Sequence, residues 1–352
     1  MVEGKPARLY ELLGDKLVIC RACPRYCRLG PGQVGFCGVR KNVDGVLHLL
    51  VYGKIIAAHV DPIEKKPVMH FAPGARVLSI ATTGCNWACK YCQNYDISQR
   101  RIVEGVDVTP EVVVSMAKRY RSDGIAYTYN EPAIFMEFAH DVGVLARKEG
   151  LINIFVTNGY WTPDSVKEAV DFLDAATVDF KGNGDPEFLR KFAGVPSPDP
   201  IYQTLIELRD KTRAHIEITD LVVPELGDKL DQARKLVRWI YDNFGPDIPI
   251  HFLRFHPDYN MLDLPATPIN ILEKHYELAK EEGMRYVYLG NVPGHPYENT
   301  FCPECLQIVV ERYGFDILKW NLDEKNRCRF CGYPITIYGK PVPEALEHRR
   351  IF

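Results

Sequence analysis

The sequence contains no run of about 18 uncharged apolar residues, the least that a bilayer-crossing helix needs. Its first residues likewise hold no long apolar stretch of the kind a secretory leader uses. Both absences argue against a membrane-spanning or secreted protein, and the expectation is a cytoplasmic one without membrane partners. An excess of one charge is also missing: 43 Lys and Arg face 46 Asp and Glu, for a formal net charge of -3. That balance excludes a nucleic-acid partner held mainly by a general phosphate-binding field, although a local basic patch stays open. No internal repeat, low-complexity tract or long linker breaks the chain. What is present is a globular composition, 46% apolar and 25% charged over 352 residues. It can bury a large core in one big domain with small appendages.

No cysteine is scattered through the chain as core filler. All 11 fall in three tight groups: Cys20, Cys23, Cys27 and Cys37; then Cys85, Cys89 and Cys92; then Cys302, Cys305, Cys328 and Cys331. An odd count without a leader makes a disulfide framework a poor reading, and the spacing is that of metal sites.

From about 77 to 289, short β-branched or aromatic runs alternate with longer amphipathic stretches, the mark of repeated βα units. Candidate strands are 77–81, 125–129, 152–157, 176–180, 216–223, 250–255 and 286–289. Helices between them include 109–120, where Thr109-Pro110 offers an N-cap and a first-turn proline, and 228–243. Six or seven units are too few for a closed eight-fold barrel. The expected fold is therefore α/β, a partial (β/α)6-type barrel, with a doubly wound sheet as the rival. In either architecture the loops at the strands' C-terminal ends surround one mouth, where a ligand site forms. The Pro-Gly segment 71–74 reads as a boundary. It divides a Cys-rich segment, 1–72, from the barrel, 73–295, and a C-terminal module, 296–352, follows.

Directly after the first candidate strand stands Thr82-Thr83-Gly84-Cys85-Asn86-Trp87-Ala88-Cys89-Lys90-Tyr91-Cys92, a CxxxCxxC motif with an aromatic residue before its last cysteine. Three thiolates on a four-iron cubane leave one iron open to chelation by a small molecule, as a catalytic zinc keeps one position open. The competing reading is a three-cysteine zinc loop completed by a distant histidine. The motif resembles that of the radical S-adenosylmethionine (SAM) superfamily. That resemblance implies a [4Fe-4S] cluster on Cys85, Cys89 and Cys92, with the amino and carboxylate groups of SAM on the open iron. It also implies reductive cleavage of SAM to a 5′-deoxyadenosyl radical that abstracts hydrogen, with Tyr91 flanking the cofactor.

Other strand ends carry the resemblance further. Tyr129-Asn130-Glu131-Pro132 stands where the superfamily typically has Gly-Gly-Glu-Pro, which implies that Glu131, with Asn130 beside it, accepts a hydrogen bond from the SAM amino group. Taken alone, a Glu-Pro pair is as readily a helix start. Thr157-Asn158-Gly159 and Asp179-Phe180-Lys181 resemble the activating enzymes of glycyl radical proteins such as pyruvate formate-lyase, which implies cofactor contacts for Thr157, Asn158, Asp179 and Lys181. His256, in Arg254-Phe255-His256-Pro257, matches a histidine that reaches toward SAM; the bland alternative is a satisfied structural histidine. Two departures count against an orthodox activase: Val156 replaces an aspartate that helps hold a cation, and Thr219 stands where an arginine is found. His59, Asp61 and His251 are weaker candidates, and the segment 288–295 either closes the pocket or turns the chain away.

Cys302-Pro303-Glu304-Cys305 and Cys328-Arg329-Phe330-Cys331 form a paired CxxC of zinc-ribbon type, where a metal supplies the folding energy a small core lacks. Zinc is expected, with rubredoxin-like iron as competitor. The four N-terminal cysteines form a closed site that suits zinc or an auxiliary iron-sulfur cluster equally. Taken together, the chain resembles the radical SAM member of the AmmeMemoRadiSam set. The resemblance implies a protein, peptide or small-molecule substrate, a low-potential ferredoxin or flavodoxin as electron donor, and companion proteins of that set. Two other readings stay open: modification of a nucleotide or RNA, permitted by Lys319, Lys325, Arg327 and Arg329, and a non-catalytic iron-sulfur sensor.

Overall fold

The computed structural model describes residues 4–341, so the outermost parts of the expected end segments, 1–3 and 342–352, lie outside the described residues. An eight-stranded sheet forms the centre. Seven of its strands are parallel: β2 (Arg76–Ala81), β3 (Gly124–Tyr127), β4 (Ile152–Thr157), β5 (Ala175–Lys181), β6 (His215–Val222), β7 (Ile250–Arg254) and β8 (Val287–Gly290). They lie side by side in chain order, and β1 (Ala57–Pro62) joins antiparallel to β2. Because the order never reverses, the sheet has no topological switch point, and the doubly wound rival is not what forms. It is the singly wound order that a partial barrel requires, with β1 and β8 as its two edges. One boundary is corrected. β1 precedes the Pro-Gly segment, so a division at residue 72 would cut the sheet.

Six helices connect successive parallel strands: α1 (Pro110–Arg119), α2 (Met136–Lys148), α3 (Pro163–Ala169), α4 (Asp199–Lys211), α5 (Leu230–Phe244) and α6 (Ile269–Glu281). Helix α1 starts as its sequence dictates, with the Thr109 hydroxyl accepting from the Val112 N–H and Pro110 in the first turn. It buries Pro110, Val113, Val114 and Ala117, one stripe at helical spacing. Helix α5 buries Ala233, Leu236, Val237 and Ile240 in the same way.

The concave face of the sheet is layered. At the N-terminal end Val77, Ala126, Ile154 and Ala175 pack with Ile63 and Val68 of the segment that plugs the bottom. Further along the same strands, Val156, Asp179, Lys181, Leu221 and Leu253 face an open cavity. Below that cavity, the buried Glu217 carboxylate accepts from the backbone N–H groups of Met69 (2.8 Å) and His70 (2.7 Å). It also meets the ring nitrogens of His215 (3.0 Å) and His251 (2.6 Å). Burial alone would raise its pKa, but those partners hold it well below the ordinary carboxylate value.

The N-terminal segment forms two small antiparallel sheets that pack into the main core. It is clamped by Arg40, whose guanidinium meets the Glu137 carboxylate of α2 at both nitrogens (2.9 and 2.5 Å), both side chains being 1% exposed. At the other end, Thr300–Phe301, Ile308–Tyr313 and Asp316–Trp320 form a three-stranded sheet. Its apolar side closes over Tyr286 and Tyr288 of the barrel. Among the described residues no helix is long and apolar enough to cross a membrane.

Removing one partner of a buried, bidentate pair strands the other charge, at a cost of about 3–5 kcal/mol. Glu137→Ala is therefore expected to lower the denaturant midpoint of unfolding sharply under anaerobic conditions, and the double variant Arg40→Met/Glu137→Leu to lose less. A Glu137→Ala protein as stable as wild type would show that the pair does not hold the segment.

Candidate functional site

Loops after the parallel strands enclose a cavity of about 440 Å³ at the C-terminal end of the sheet. Cys85, Cys89 and Cys92 all line it, on the loop that follows β2. That loop is fixed by its backbone. Gly84 adopts φ +87, and a Cβ there would lie 2.4 Å from the carbonyl oxygen of Cys37. The Gly84 N–H donates to Ile97 O, while Ala88 and Lys90 donate to the carbonyls of Ala193 and Phe192. Burial pushes the Cys85 thiol well above its ordinary pKa and Cys89 up to about 12. Thiols such as these two become thiolates only against positive charge, which a metal cluster would supply. The cavity wall also carries Glu131, Asp179 and His256, the last with its ring at the rim, 71% exposed and 3.7 Å from Asp258.

Glu131 sits opposite, 2% exposed, at the end of β3. Its Oε1 accepts from Ala133 N (3.0 Å), the Thr157 hydroxyl (2.8 Å) and the Trp161 indole N–H (2.9 Å). Oε2 accepts only from Asn158 N (2.8 Å), so it keeps capacity for one more donor. Burial raises its pKa to about 7, against the pull of those donors. Asn130 donates to the Thr82 hydroxyl and the Gly84 carbonyl, and its own Oδ1 is buried without a partner. The Asn158 amide reaches Asn86 Oδ1 at 2.8 Å, joining the two loops.

The expected departure at Tyr129 has a structural answer. It takes φ +69, the left-handed region favoured by glycine, so the backbone keeps a glycine-like turn despite the large side chain. The phenol pins it by donating to Asp61 Oδ2 (2.5 Å), which also accepts from Lys66 (2.7 Å), while Lys65 donates to Oδ1 (2.9 Å). Burial would raise Asp61, yet these three donors hold it below its usual range. Desolvation lowers the Lys66 ammonium to about 8 even with Asp61 beside it.

On β5, Asp179 pairs with Lys181 at 2.8 Å and accepts from the Thr219 hydroxyl. Burial acts to lower the Lys181 pKa, but Asp179 outweighs it and the net shift is upward. Tyr91 is buried with its ring 5.7 Å from Phe188. Asn291 brings the 288–295 segment into the wall and donates to Arg254 O at 3.1 Å, so that segment both turns and lines the pocket. The structure therefore gathers the three cysteines, Tyr91, Asn130, Glu131, Thr157, Asn158, Asp179, Lys181 and His256 around one space. His251 points instead into the Glu217 cluster beneath. Sequence reasoning missed Lys65, Lys66 and Trp161. Lys65 and Lys66 act through Asp61, only four and five residues earlier, whereas nothing local marks Trp161, whose role arises from Glu131, 30 residues away.

In the C-terminal module the sulfurs of Cys302, Cys305, Cys328 and Cys331 all lie within 4.8 Å of one another, with Cys302–Cys331 and Cys305–Cys328 at 3.6 Å. Tetrahedral metal–sulfur bonds of about 2.3 Å place thiolates roughly 3.8 Å apart. The geometry fits one metal ion. The N-terminal Cys20, Cys23, Cys27 and Cys37 ring a separate small cavity on the far side of the Cys85 loop.

Residues 79–240 match the family model described as the radical SAM superfamily. Over 336 residues, 95% of this chain and 99% of the relative, the sequence is 43% identical to "Uncharacterized protein MJ0808" of Methanocaldococcus jannaschii. It is 24% identical over 217 residues, 61% of this chain and 79% of the relative, to "Putative glycyl-radical enzyme activating enzyme MJ1632" of the same organism. Among solved structures, a radical SAM methyltransferase from Sphaerobacter thermophilus shares 13% identity over 63% of this chain and 68% of its own, with a TM-score of 0.49. With identity running almost end to end along the first relative, the chain belongs to one family with that M. jannaschii protein, and the Cys85 loop lies inside the segment that matches the radical SAM superfamily.

Proposed function

We propose that Cys85, Cys89 and Cys92 hold a [4Fe-4S] cluster whose open iron takes SAM, and that the enzyme abstracts hydrogen from a protein, peptide or small-molecule substrate. When bound, the cluster and SAM supply a 5′-deoxyadenosyl radical. The observation that carries this reading is the convergence on one cavity of three thiols, one buried and two half-buried, and a carboxylate, Glu131, with one acceptor position to spare. Glu131 Oε2 and Asn130 Oδ1 are placed to accept from an ammonium, and Thr157 and Trp161 fix the carboxylate that does so. Lys181 keeps its charge through Asp179 and lies near enough to Cys89 to steady a thiolate. Val156, Leu221 and Leu253 give the wall an apolar lower layer that limits water at the reacting centre.

Glycyl-radical activation is one specific form of this chemistry, although Val156 and Thr219 depart from the activase pattern and Thr219 serves Asp179 instead. We assign zinc to the C-terminal site, a ferredoxin or flavodoxin as electron donor, AmmeMemoRadiSam proteins as companions, and the cytoplasm as location. The basic residues that permit an RNA substrate are largely engaged: Lys319 pairs with Glu311 at 2.6 Å, Arg327 with Asp323 at 2.8 Å, and Arg329 donates to Leu322 O. The sensor reading is separated by turnover.

The protein, reconstituted without oxygen and given a strong reductant, is expected to convert SAM to methionine and 5′-deoxyadenosine, and the Cys85→Ala/Cys89→Ala/Cys92→Ala variant to form none. Product from the triple variant, or a reducible, SAM-bound wild type that never cleaves SAM with any substrate fraction, would sink the proposal. Glu131→Gln removes the charge from a charge-assisted bond of about 1.5–3 kcal/mol, so KM for SAM is expected to rise roughly ten- to a hundredfold. An unchanged KM would place SAM elsewhere. Because the Glu131 carboxyl titrates at about 7 in the folded protein and only its ionised form attracts the ammonium, SAM affinity should weaken as pH falls through 7. Equilibrium binding between pH 6 and 8 checks the sign, and Glu131→Gln should flatten the profile.

A further inference from the structure

We infer that Cys20, Cys23, Cys27 and Cys37 hold a second, fully thiolate-ligated [4Fe-4S] cluster, and that it relays electrons to the Cys85 loop. The relay rests on the function proposed above; the identity of the metal does not.

Spacing is the first argument. The C-terminal cysteines close to the separation of four ligands on one ion. Among the described residues no other cysteine group is gathered so tightly, and the N-terminal four instead ring a small void whose wall is completed by Arg40 and Ile134. A cubane sets each thiolate on a different iron, so its ligands stand farther apart than those of a mononuclear zinc. The N-terminal group thus follows the pattern of the Cys85 loop, not that of the ribbon.

The surroundings are those of a low-dielectric redox site. Backbone N–H groups point at the buried sulfurs: Ala22 at Cys20, Arg25 at Cys23, and both Val39 and Arg40 at Cys37. Such N–H donors, with the buried Arg40 charge, stabilise the extra negative charge of a reduced cluster and so tune its potential.

Position is the third argument. The Cys37 carbonyl packs directly on Gly84, the residue before Cys85. Asn86 lines the N-terminal cavity and also lies 3.8 Å from the Cys85 sulfur. Arg25 donates to the Asn86 carbonyl, closing the wall between the two sites. An electron leaving a reduced cluster there, which returns from the 1+ to the 2+ state, crosses only this wall to reduce the first cluster by one. Cys27, the least buried of the four, reaches toward solvent, and Arg25 and Arg101 stack over Phe36 beside the site at 3.6 and 4.0 Å. A cationic pair of this kind suits an acidic ferredoxin or flavodoxin, which supplies the electron.

The test uses the full chain with Cys85, Cys89 and Cys92 changed to Ala, reconstituted anaerobically. It is expected to retain about four iron and four acid-labile sulfide per chain, and to give the electron paramagnetic resonance signal of a reduced cubane. Adding Cys27→Ser should remove or alter that signal. A triple variant with zinc and no labile sulfide would overturn the inference; one iron without sulfide would report only the ribbon. For the relay, Cys27→Ser in the otherwise intact chain should slow 5′-deoxyadenosine formation driven by reduced flavodoxin at least tenfold, while SAM affinity holds. Equal rates would overturn the relay and leave the cluster standing. If wild type cleaves no SAM at all, the function proposed for the first site fails, and the sulfide count of the triple variant still decides the second.

Discussion

At Gly84 the chain leaves no space for a side chain, because the peptide carbonyl of Cys37 already occupies it. Much else follows from this single approach. It requires a left-handed glycine between β2 and the cysteine loop, and it welds the N-terminal segment to the mouth of the barrel. The Gly84 carbonyl, turned inward, becomes the acceptor that orients Asn130, and Asn130 in turn stands beside Glu131. A methyl group at position 84 would therefore disturb two cysteine groups and the Glu131 carboxylate together, though it lies in none of them.

Several charges buried around this contact are paired, and most of these clusters join elements distant in sequence. Arg40 and Glu137 join the N-terminal segment to α2, Asp61 gathers Lys65, Lys66 and Tyr129 at the rim, and Glu217 ties the bottom plug to β6 and β7. Pairs of this kind add little net stability over apolar replacements, but they are costly to break singly. They specify which segment lies where, which suits a site whose walls come from many loops.

The strand ends and the three cysteine groups were legible because period, spacing and caps are local: Thr109 caps α1, and β4 runs over the residues its pattern marks. Other features lay beyond local reading. The strand Ala57–Pro62 has a mixed burial pattern, and its place in the sheet follows from pairing with β2 across the Pro-Gly turn. Tyr129 stands at a glycine position of the motif and keeps the glycine-like turn with its phenol held by Asp61. Trp161, four residues after Thr157, carries no signal of its own, yet its indole fixes the carboxylate that the motif marks. The ribbon's metal geometry follows from its two CxxC turns, whereas the wider N-terminal ring depends on how Cys37 meets Gly84.

The open sheet leaves β8 as a parallel edge strand, with hydrogen-bonding groups on one side unmatched by any strand of the sheet. Exposed edges of this sort invite other chains to add themselves. Here the edge is flanked by the C-terminal module, whose apolar side covers Tyr286 and Tyr288 and whose Thr300 hydroxyl meets the Tyr288 phenol at 2.8 Å. The small cysteine-knuckled module thus packs beside that edge. A chain whose module loosens keeps most of its barrel while exposing the strand through which copies can join, so aggregation, more than loss of fold, is the hazard its cysteines hold off.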